Sequence, residues 1–269
     1  MTKHKVGIYG CGMVGGALMR YFEKNPNYEV FKYDKKGLGS LDEINQADFI
    51  YLCLPTPYAP GVGCDTSLIE DAVAKIHGGK TLIIKSTVTP GTTDRLQEKF
   101  PQHKFLFNPE FLTEVTADND MNFPDRQIIG YTEKSYTVAK DIIQQLPLAP
   151  FERIVPARVA EFVKYAGNTW FAVKVALHNE LFDLCKKVGL NQNEWDDLTE
   201  SIAADKRVGR THLDIVHKNK RGYWGKCLPK DQKALLEFAK QNGVELPIRK
   251  AANDYNDELL NSQDIKTYI

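Results

Sequence analysis

Apolar residues recur along this chain in two rhythms, and the change between them divides it. In the first half, short apolar runs alternate with stretches of helical period. Lys5-Val-Gly-Ile-Tyr9 is the first run; Tyr28–Tyr33, Asp48–Leu54, Lys80–Lys85, Lys104–Phe107 and Arg126–Gly130 follow. Such runs predict buried strands, and their alternation with helices predicts a parallel sheet covered on both faces. From Pro156 the period lengthens. Arg158 to Asn168 reads as a helix that continues through Leu177, Glu180 and Leu184, and Gly189 after Lys186 and Lys187 marks its stop. Further helices are predicted over 193–203, over 232–241, and from Pro247 to about Leu260, with a basic irregular stretch from Asp205 to Arg221. The expected architecture is α/β: a doubly wound parallel sheet over residues 1–155, then an all-helical domain over 156–269.

The first strand leads into Gly10-Cys11-Gly12-Met13-Val14-Gly15 and then a helical pattern. In this setting Gly10 permits a tight turn, Gly12 lets backbone approach a pyrophosphate, and Gly15 allows close helix–strand packing. The helix start offers N–H groups to the anion. Asp34 closes the second strand, where an acid binds a ribose 2′-hydroxyl and repels a 2′-phosphate, so the Rossmann-type domain is expected to take NAD. Lys35 and Lys36 follow directly and weaken that preference. Ligands in such sheets sit beyond the carboxyl ends of the strands. Pro55-Thr56-Pro57, Ser86 to Gly91 and Asn108 to Glu114 fall there. Each alone reads equally well as a loop shaped by proline or glycine; together they predict a cleft.

Composition narrows the partners. Lysine plus arginine equals aspartate plus glutamate at 35 each in 269 residues, so no basic field recruits nucleic acid. No apolar run has the length of a membrane span, and the start runs straight into a strand, so neither membrane nor signal peptide is expected. Five scattered cysteines predict thiols in a reducing, cytoplasmic setting. His212 and His217 lack metal-ligand spacing with them, so no metal site is assigned.

Two places carry candidate chemistry in the second half. Lys164 and Asn168 are four apart on one helix face, amid Ala, Phe and Val. A lysine there needs a partner or a task. Cys227 lies in Gly222-Tyr-Trp-Gly-Lys-Cys-Leu-Pro-Lys-Asp231, an expected exposed loop where Lys226 and Lys230 would favour a thiolate nucleophile. The competing reading is a buried structural thiol, as expected for Cys53 and Cys185.

From Lys5 to about Leu260 the chain resembles the UDP-glucose/GDP-mannose dehydrogenase family. The resemblance rests on the glycine loop, Pro55-Thr-Pro57, Ser86-Thr-Val-Thr-Pro-Gly-Thr-Thr93 and Asn108-Pro-Glu-Phe-Leu-Thr-Glu114, in that order. Pro124-Asp-Arg126, the Lys164/Asn168 helix and Cys227-Leu-Pro-Lys-Asp231 complete it. It implies a central helical domain like the C-terminal domain of 6-phosphogluconate dehydrogenase. It also implies oxidation of a nucleotide sugar's C6 alcohol to the carboxylate with two NAD. By the same resemblance Gly10, Cys11, Gly12, Met13, Val14, Gly15 and Asp34 hold NAD, with Thr56, Ser86, Thr87 and Glu114 nearer the nicotinamide. Cys227 is the implied nucleophile and Glu110 the base of the hydrolytic step. Lys164 and Asn168 stabilise the oxyanion, while Asp231 and Thr87 position water and substrate. Glu110, Phe111, Leu112, Glu114, Lys164, Asn168, Tyr223 and Arg207 are the implied substrate contacts, Arg207 reaching a neighbouring subunit's sugar.

The chain departs from the family at Trp224-Gly225, where paired glycines are usual, and in a longer, more basic loop before Cys227. The family's third domain, which holds the nucleotide, is expected to be missing. Its place could be taken in part by the basic segment His217–Arg221, or a smaller sugar derivative could be the substrate. A two-electron dehydrogenase of the β-hydroxyacid type, or a non-catalytic NAD-binding subunit needing a partner chain, are the alternative readings. Long amphipathic central helices predict a homodimer.

Overall fold

The computed structural model describes residues 3–265. They form two compact units: the chain to Thr56 together with Cys64–Lys164, and Pro57–Gly63 together with the chain from Tyr165. The first unit begins β1 (His4–Tyr9), α1 (Met13–Glu23), β2 (Tyr28–Asp34), β3 (Leu38–Gly39), α2 (Leu41–Ile44) and β4 (Phe49–Leu52). A short pair follows in the chain, β5 (Tyr58–Ala59), which belongs to the second unit, and β6 (Gly63–Cys64); the first unit then continues with α3 (Ser67–Val73), β7 (Thr81–Ile84), α4 (Thr92–Lys99) and β8 (Lys104–Phe107). Then come α5 (Ala117–Asn122), β9 (Arg126–Tyr131), a 3-10 turn over Glu133–Val138, α6 (Ala139–Gln145), β10 (Phe151–Pro156) and α7 (Ala157–Lys187).

Eight strands make one sheet in the order β10-β9-β8-β7-β4-β1-β2-β3. The five from β8 to β2 are parallel. Their residues alternate between two apolar layers. Ile50, Leu52, Leu82 and Ile84 pack with Ile69, Val73 and Leu96 on one face. Tyr51, Ile83, Leu106 and Ile8 pack with Leu18, Phe22 and Ile142 on the other. Burial on both faces is why these strands read as continuous apolar runs.

The sheet is not wholly parallel as expected. β9 runs antiparallel to β8, β3 antiparallel to β2, and β10 parallel to β9. Burial periodicity carries no strand direction, so the reversal is invisible in it. β10 was not anticipated at all. Phe151-Glu-Arg-Ile-Val-Pro156 is an edge strand, mostly exposed, and lacks the apolar run.

The second unit holds α7 from Tyr165, α8 (Gln192–Ala203), the hairpin β11 (Val216–His217) and β12 (Lys220–Arg221), α9 (Leu228–Gln241) and α10 (Pro247–Asn261). α7 ends as expected at Gly189: the Leu190 N–H donates to Cys185 O and the Gly189 N–H to Lys186 O, with Gly189 at φ 97. α8 opens on an Asn191–Glu194 capping box. The stretch expected to be irregular contains the hairpin, whose turn residues Lys218 and Asn219 both have positive φ. Ala172, Val175, Ala176 and Tyr223 form one core cluster with Leu228 and Tyr255; Cys185, Trp195 and Ile215 form another. Among the described residues no helix is long and apolar enough to cross a membrane.

Candidate active site

In the first unit the glycine loop is built as its spacing requires. Gly10 has φ 92, and a Cβ there would lie 2.5 Å from Cys53 O. A Cβ on Gly15 would sit 1.9 Å from Gly10 O, so no side chain fits. Gly12 differs: a Cβ there would meet no protein atom within 4 Å. That space is open beside the start of α1. Gly12 is the N-cap of α1, which has no acidic residue in its first turn to compete with an anion. Asp34 Oδ1 accepts the Lys36 N–H and Oδ2 the Cys11 N–H, both at 2.9 Å. Those two backbone donors hold its carboxyl below the usual carboxylate range. Cys11, Gly12, Met13, Leu38 and Glu114 help line a cleft of about 510 Å³ here, of a size suited to a cofactor. Val14 is half-buried behind it. The open face at Gly12, the unopposed helix end and Asp34 fit the adenosine diphosphate half of NAD.

The expected nicotinamide-side residues are tied to one another. Thr56 Oγ1 donates to Thr87 O at 2.6 Å. Ser86 Oγ accepts the Leu54 N–H at 2.8 Å and donates to Leu52 O at 3.3 Å. Ser86 therefore joins the ends of β4 and β7 with its hydroxyl already used, whereas Thr87 stays half-exposed. Glu114 is exposed on the cleft wall.

Lys164 and Glu110 form a buried ion pair. Lys164 Nζ donates to Glu110 Oε1 at 3.0 Å and to Glu110 O at 2.7 Å, with the side chains 7% and 11% exposed. Glu110 Oε2 accepts the Leu112 N–H at 2.8 Å. Phe111 lies between, with the Arg126 guanidinium 3.8 Å from its ring centroid and Lys164 Nζ 5.8 Å away. Lys85, missed in the sequence, sits beneath: 4% exposed, it donates to Asn108 Oδ1 at 2.6 Å. Burial pulls its ammonium down to about 8, against the opposing charges of Cys53 and Glu110. A lysine closing an apolar strand directly before Ser86-Thr87 was the available signal. Burial also pushes the Cys53 thiol up to about 12, which makes it inert.

Glu161, one helical turn before Lys164, was missed too. Fully buried, its carboxylate accepts the Gly91 N–H at 2.6 Å, the Thr93 N–H at 2.8 Å and the Thr93 hydroxyl at 2.6 Å. It caps the start of α4 and so anchors the loop that carries Ser86 and Thr87.

In the second unit, Cys227 does not lie in a loop ahead of a helix starting at Gln232. It is the exposed N-cap of α9, which begins at Leu228, so Lys230 and Asp231 are already helical. Pro229 hid this start, yet proline is tolerated in the first turn because its missing N–H has no intrahelical acceptor there. Asp231 is 1% exposed; its Oδ2 accepts Asn168 Nδ2 at 2.5 Å and its Oδ1 faces Lys230 Nζ at 2.6 Å. Lys164 and Asn168 thus each hold a separate carboxylate instead of acting as one unpaired donor set.

The remaining two expected substrate contacts are in the second unit. Tyr223 is a core residue, 3% exposed, with its N–H on Asn256 Oδ1 and its ring among Ala172 and Val175. Arg207 is exposed and turned onto Asp205, two residues away. Trp224 packs on the hairpin, with Lys220 Nζ 4.8 Å from its ring and the His217 ring 5.8 Å away. Among the described residues no group of three or more His, Cys, Asp or Glu could hold a metal ion.

Comparison with known proteins agrees with this arrangement. The UDP-glucose/GDP-mannose dehydrogenase family profile matches in two parts, its NAD binding domain over residues 39–146 and its central domain over 158–258. The UDP-glucose 6-dehydrogenase of Rickettsia conorii is 34% identical over 222 residues, 78% of this chain and 49% of that protein. That of Haloferax volcanii is 33% identical over 239 residues, 80% of this chain and 54% of the other. The solved UDP-glucose dehydrogenase of Pyrobaculum islandicum superposes with a TM-score of 0.82 at 26% identity, over 95% of this chain and 68% of that one. This chain spans about half the length of the curated relatives it matches. With an NAD-binding Rossmann unit joined to a helical central unit, the chain belongs to the UDP-glucose/GDP-mannose dehydrogenase family.

Proposed function

We propose that this protein oxidises the C6 alcohol of a nucleotide sugar, of the UDP-glucose type, to the carboxylate through a covalent bond to Cys227. The observation that carries the reading is Cys227 itself, an exposed thiol capping α9. A helix N-terminus favours the thiolate, the competent nucleophile. Bound NAD supplies the hydride acceptor, two per sugar.

The hydroxyl gives up a proton and C6 a hydride, leaving the aldehyde. The Cys227 sulfur adds to C6 to form a thiohemiacetal, and loss of a second hydride gives the thioester. Water then attacks, the S–C6 bond breaks, and the carboxylate leaves with the thiol restored. One alcohol, two NAD⁺ and one water thus become one carboxylate, two NADH and three protons. Glu110 serves as base for the water: a carboxylate has about four acceptor sites, and the protein side chains and Leu112 take two. Lys164 keeps Glu110 in place and lends positive charge; Asn168, oriented by Asp231, lends an amide donor to the oxyanion. Thr87, Phe111, Leu112 and Glu114 are proposed substrate or nicotinamide contacts, and Arg207 a contact to a neighbouring subunit's sugar.

The test is purified protein with NAD and a panel of nucleotide sugars, read by NADH and product mass. Two NADH and one uronate per sugar are expected. Cys227→Ser should lose steady formation of acid; unchanged acid output would refute the covalent route. A homodimer is proposed from α7, whose Trp170, Leu177 and Leu184 are each at least 60% exposed. Light scattering after gel filtration should give twice the chain mass, and Leu177→Glu should return it to one.

A further inference from the structure

Pro124-Asp125-Arg126 stands out in the sequence, yet no step of the proposed reaction uses it. The reversed strand gives it a place. β8 and β9 pair antiparallel with Phe107 opposite Gly130. The amino-terminal end of β9 therefore lies beyond the carboxyl end of β8, at the edge where this sheet presents its ligand loops. Continued for four residues, that register sets Arg126 opposite Phe111. The side chains meet there, with the guanidinium 3.8 Å from the ring centroid.

Arg126 is half-buried, and desolvation lowers its pKa. Its backbone pairs with Phe151 of β10; apart from the charge of neighbouring Asp125, the guanidinium meets the face of Phe111, and among the described residues no side-chain hydrogen bond or ion pair holds it. Phe111 is the middle of a three-residue turn fixed at both ends. Lys164 grips the Glu110 carbonyl and carboxylate, and the Leu112 N–H returns to that same carboxylate. The ring is the part of the turn that no hydrogen bond can fix, and a flat guanidinium is suited to cover it.

We infer that Arg126 is a positioning residue, whose stacking on Phe111 holds the Glu110–Leu112 turn in the geometry needed at the sugar. The functional half of this statement rests on the proposed oxidation; the mechanical half does not.

Hydrogen exchange and turnover test the two halves separately. Arg126→Met keeps the aliphatic stem and removes the planar cation. Exchange of the Leu112 amide should quicken about fivefold, the equilibrium weight of one half-exposed cation–ring contact, with β1, β4 and β7 unchanged. Arg126→Lys should restore part of the protection. On a Phe111→Leu background, Arg126→Met should add nothing. In turnover, kcat/KM for the sugar nucleotide should fall about fivefold while KM for NAD stays the same. Unchanged Leu112 exchange, additive effects of the two substitutions, or equal losses for sugar and NAD would each overturn the assignment. If the wild-type protein oxidises no sugar nucleotide, the proposed function falls, and exchange alone still decides whether Arg126 holds the turn.

Discussion

Replacing Glu161 with glutamine tests whether the clamp between α7 and α4 is a principal strut of the Rossmann unit. The carboxylate receives three donors and is fully buried: Oε2 takes the Gly91 N–H, and Oε1 takes both the N–H and the hydroxyl of Thr93. Glutamine preserves shape and volume but has only one acceptor oxygen. In its best orientation the amide oxygen serves Thr93, and the NH2 group meets the Gly91 N–H donor to donor. One charge-assisted hydrogen bond is lost and a backbone donor is left unsatisfied in the interior, a cost of about 3 kcal/mol. For a unit of this size that lowers the melting temperature by about 9 °C. Calorimetry at pH 8 measures it, with the Rossmann transition identified as the one that NAD raises. Thr93→Val, which removes only the hydroxyl donor, should cost about 1 kcal/mol by the same reasoning. A glutamine variant melting within 2 °C of wild type, a margin set at about 1 kcal/mol, would refute the claim that this carboxylate bears the load.

The glycine loop separates folding from binding. Gly12→Val should leave the melting temperature almost unchanged yet abolish NAD binding by calorimetric titration, because its side chain enters space no protein atom fills. Gly15→Ala should unfold the unit instead, since its methyl collides with the Gly10 carbonyl. Asp34→Ser, with Lys35 and Lys36 adjacent, should narrow the preference for NAD over NADP by at least tenfold in paired binding titrations. Lys85 gives a pH signature. Its folded value near 8 lies below that of an unfolded lysine, so above pH 8 the unfolded chain binds more protons and stability rises with pH. Lys85→Met cannot titrate, so urea unfolding should show the wild-type-minus-variant difference moving in favour of wild type by about 2 kcal/mol from pH 8 to 10. A flat difference would mean that Lys85 is not the buried cation the geometry describes.

What the sequence disclosed followed the range of each interaction. The inner strands were legible because burial on both faces leaves an unbroken apolar run, as at Thr81–Ile84. Strand direction leaves no such trace, so the reversal of β9 was hidden. β10, exposed along much of its length, had no run to find. The glycine loop was legible because its constraints act within a few residues and one strand–helix turn. The pairings in the site were not: Glu110 meets Lys164 across 54 positions and Asn168 meets Asp231 across 63. Helical spacing showed that Lys164 and Asn168 share a helix, but not that each is committed to an acid. The burial of Tyr223 was hidden for the complementary reason. Between glycine and tryptophan before a cysteine it looks like a loop contact, whereas Asn256 ties its backbone down at both N–H and carbonyl and buries the ring.

Those commitments change how the proposed chemistry must run. An unpaired lysine and asparagine would act on an oxyanion simply by charge and dipole. Here Lys164 is already paired with Glu110, so the pair enters the reaction with no net charge. When Glu110 accepts the proton of the attacking water, the pair becomes net positive while the oxyanion becomes negative. The stabilising charge therefore appears in the step that needs it and is absent beforehand. Asp231 does the corresponding work for Asn168: buried and held by Lys230, it fixes the amide without itself needing to exchange a proton. In the proposed reaction Glu110 is then the carboxylate that takes the proton in the hydrolytic half. Glu110→Gln should leave NAD binding intact and halt the protein at the thioester, a covalent adduct at Cys227 visible by mass spectrometry. Free acid released at the wild-type rate would show that the water finds its base elsewhere.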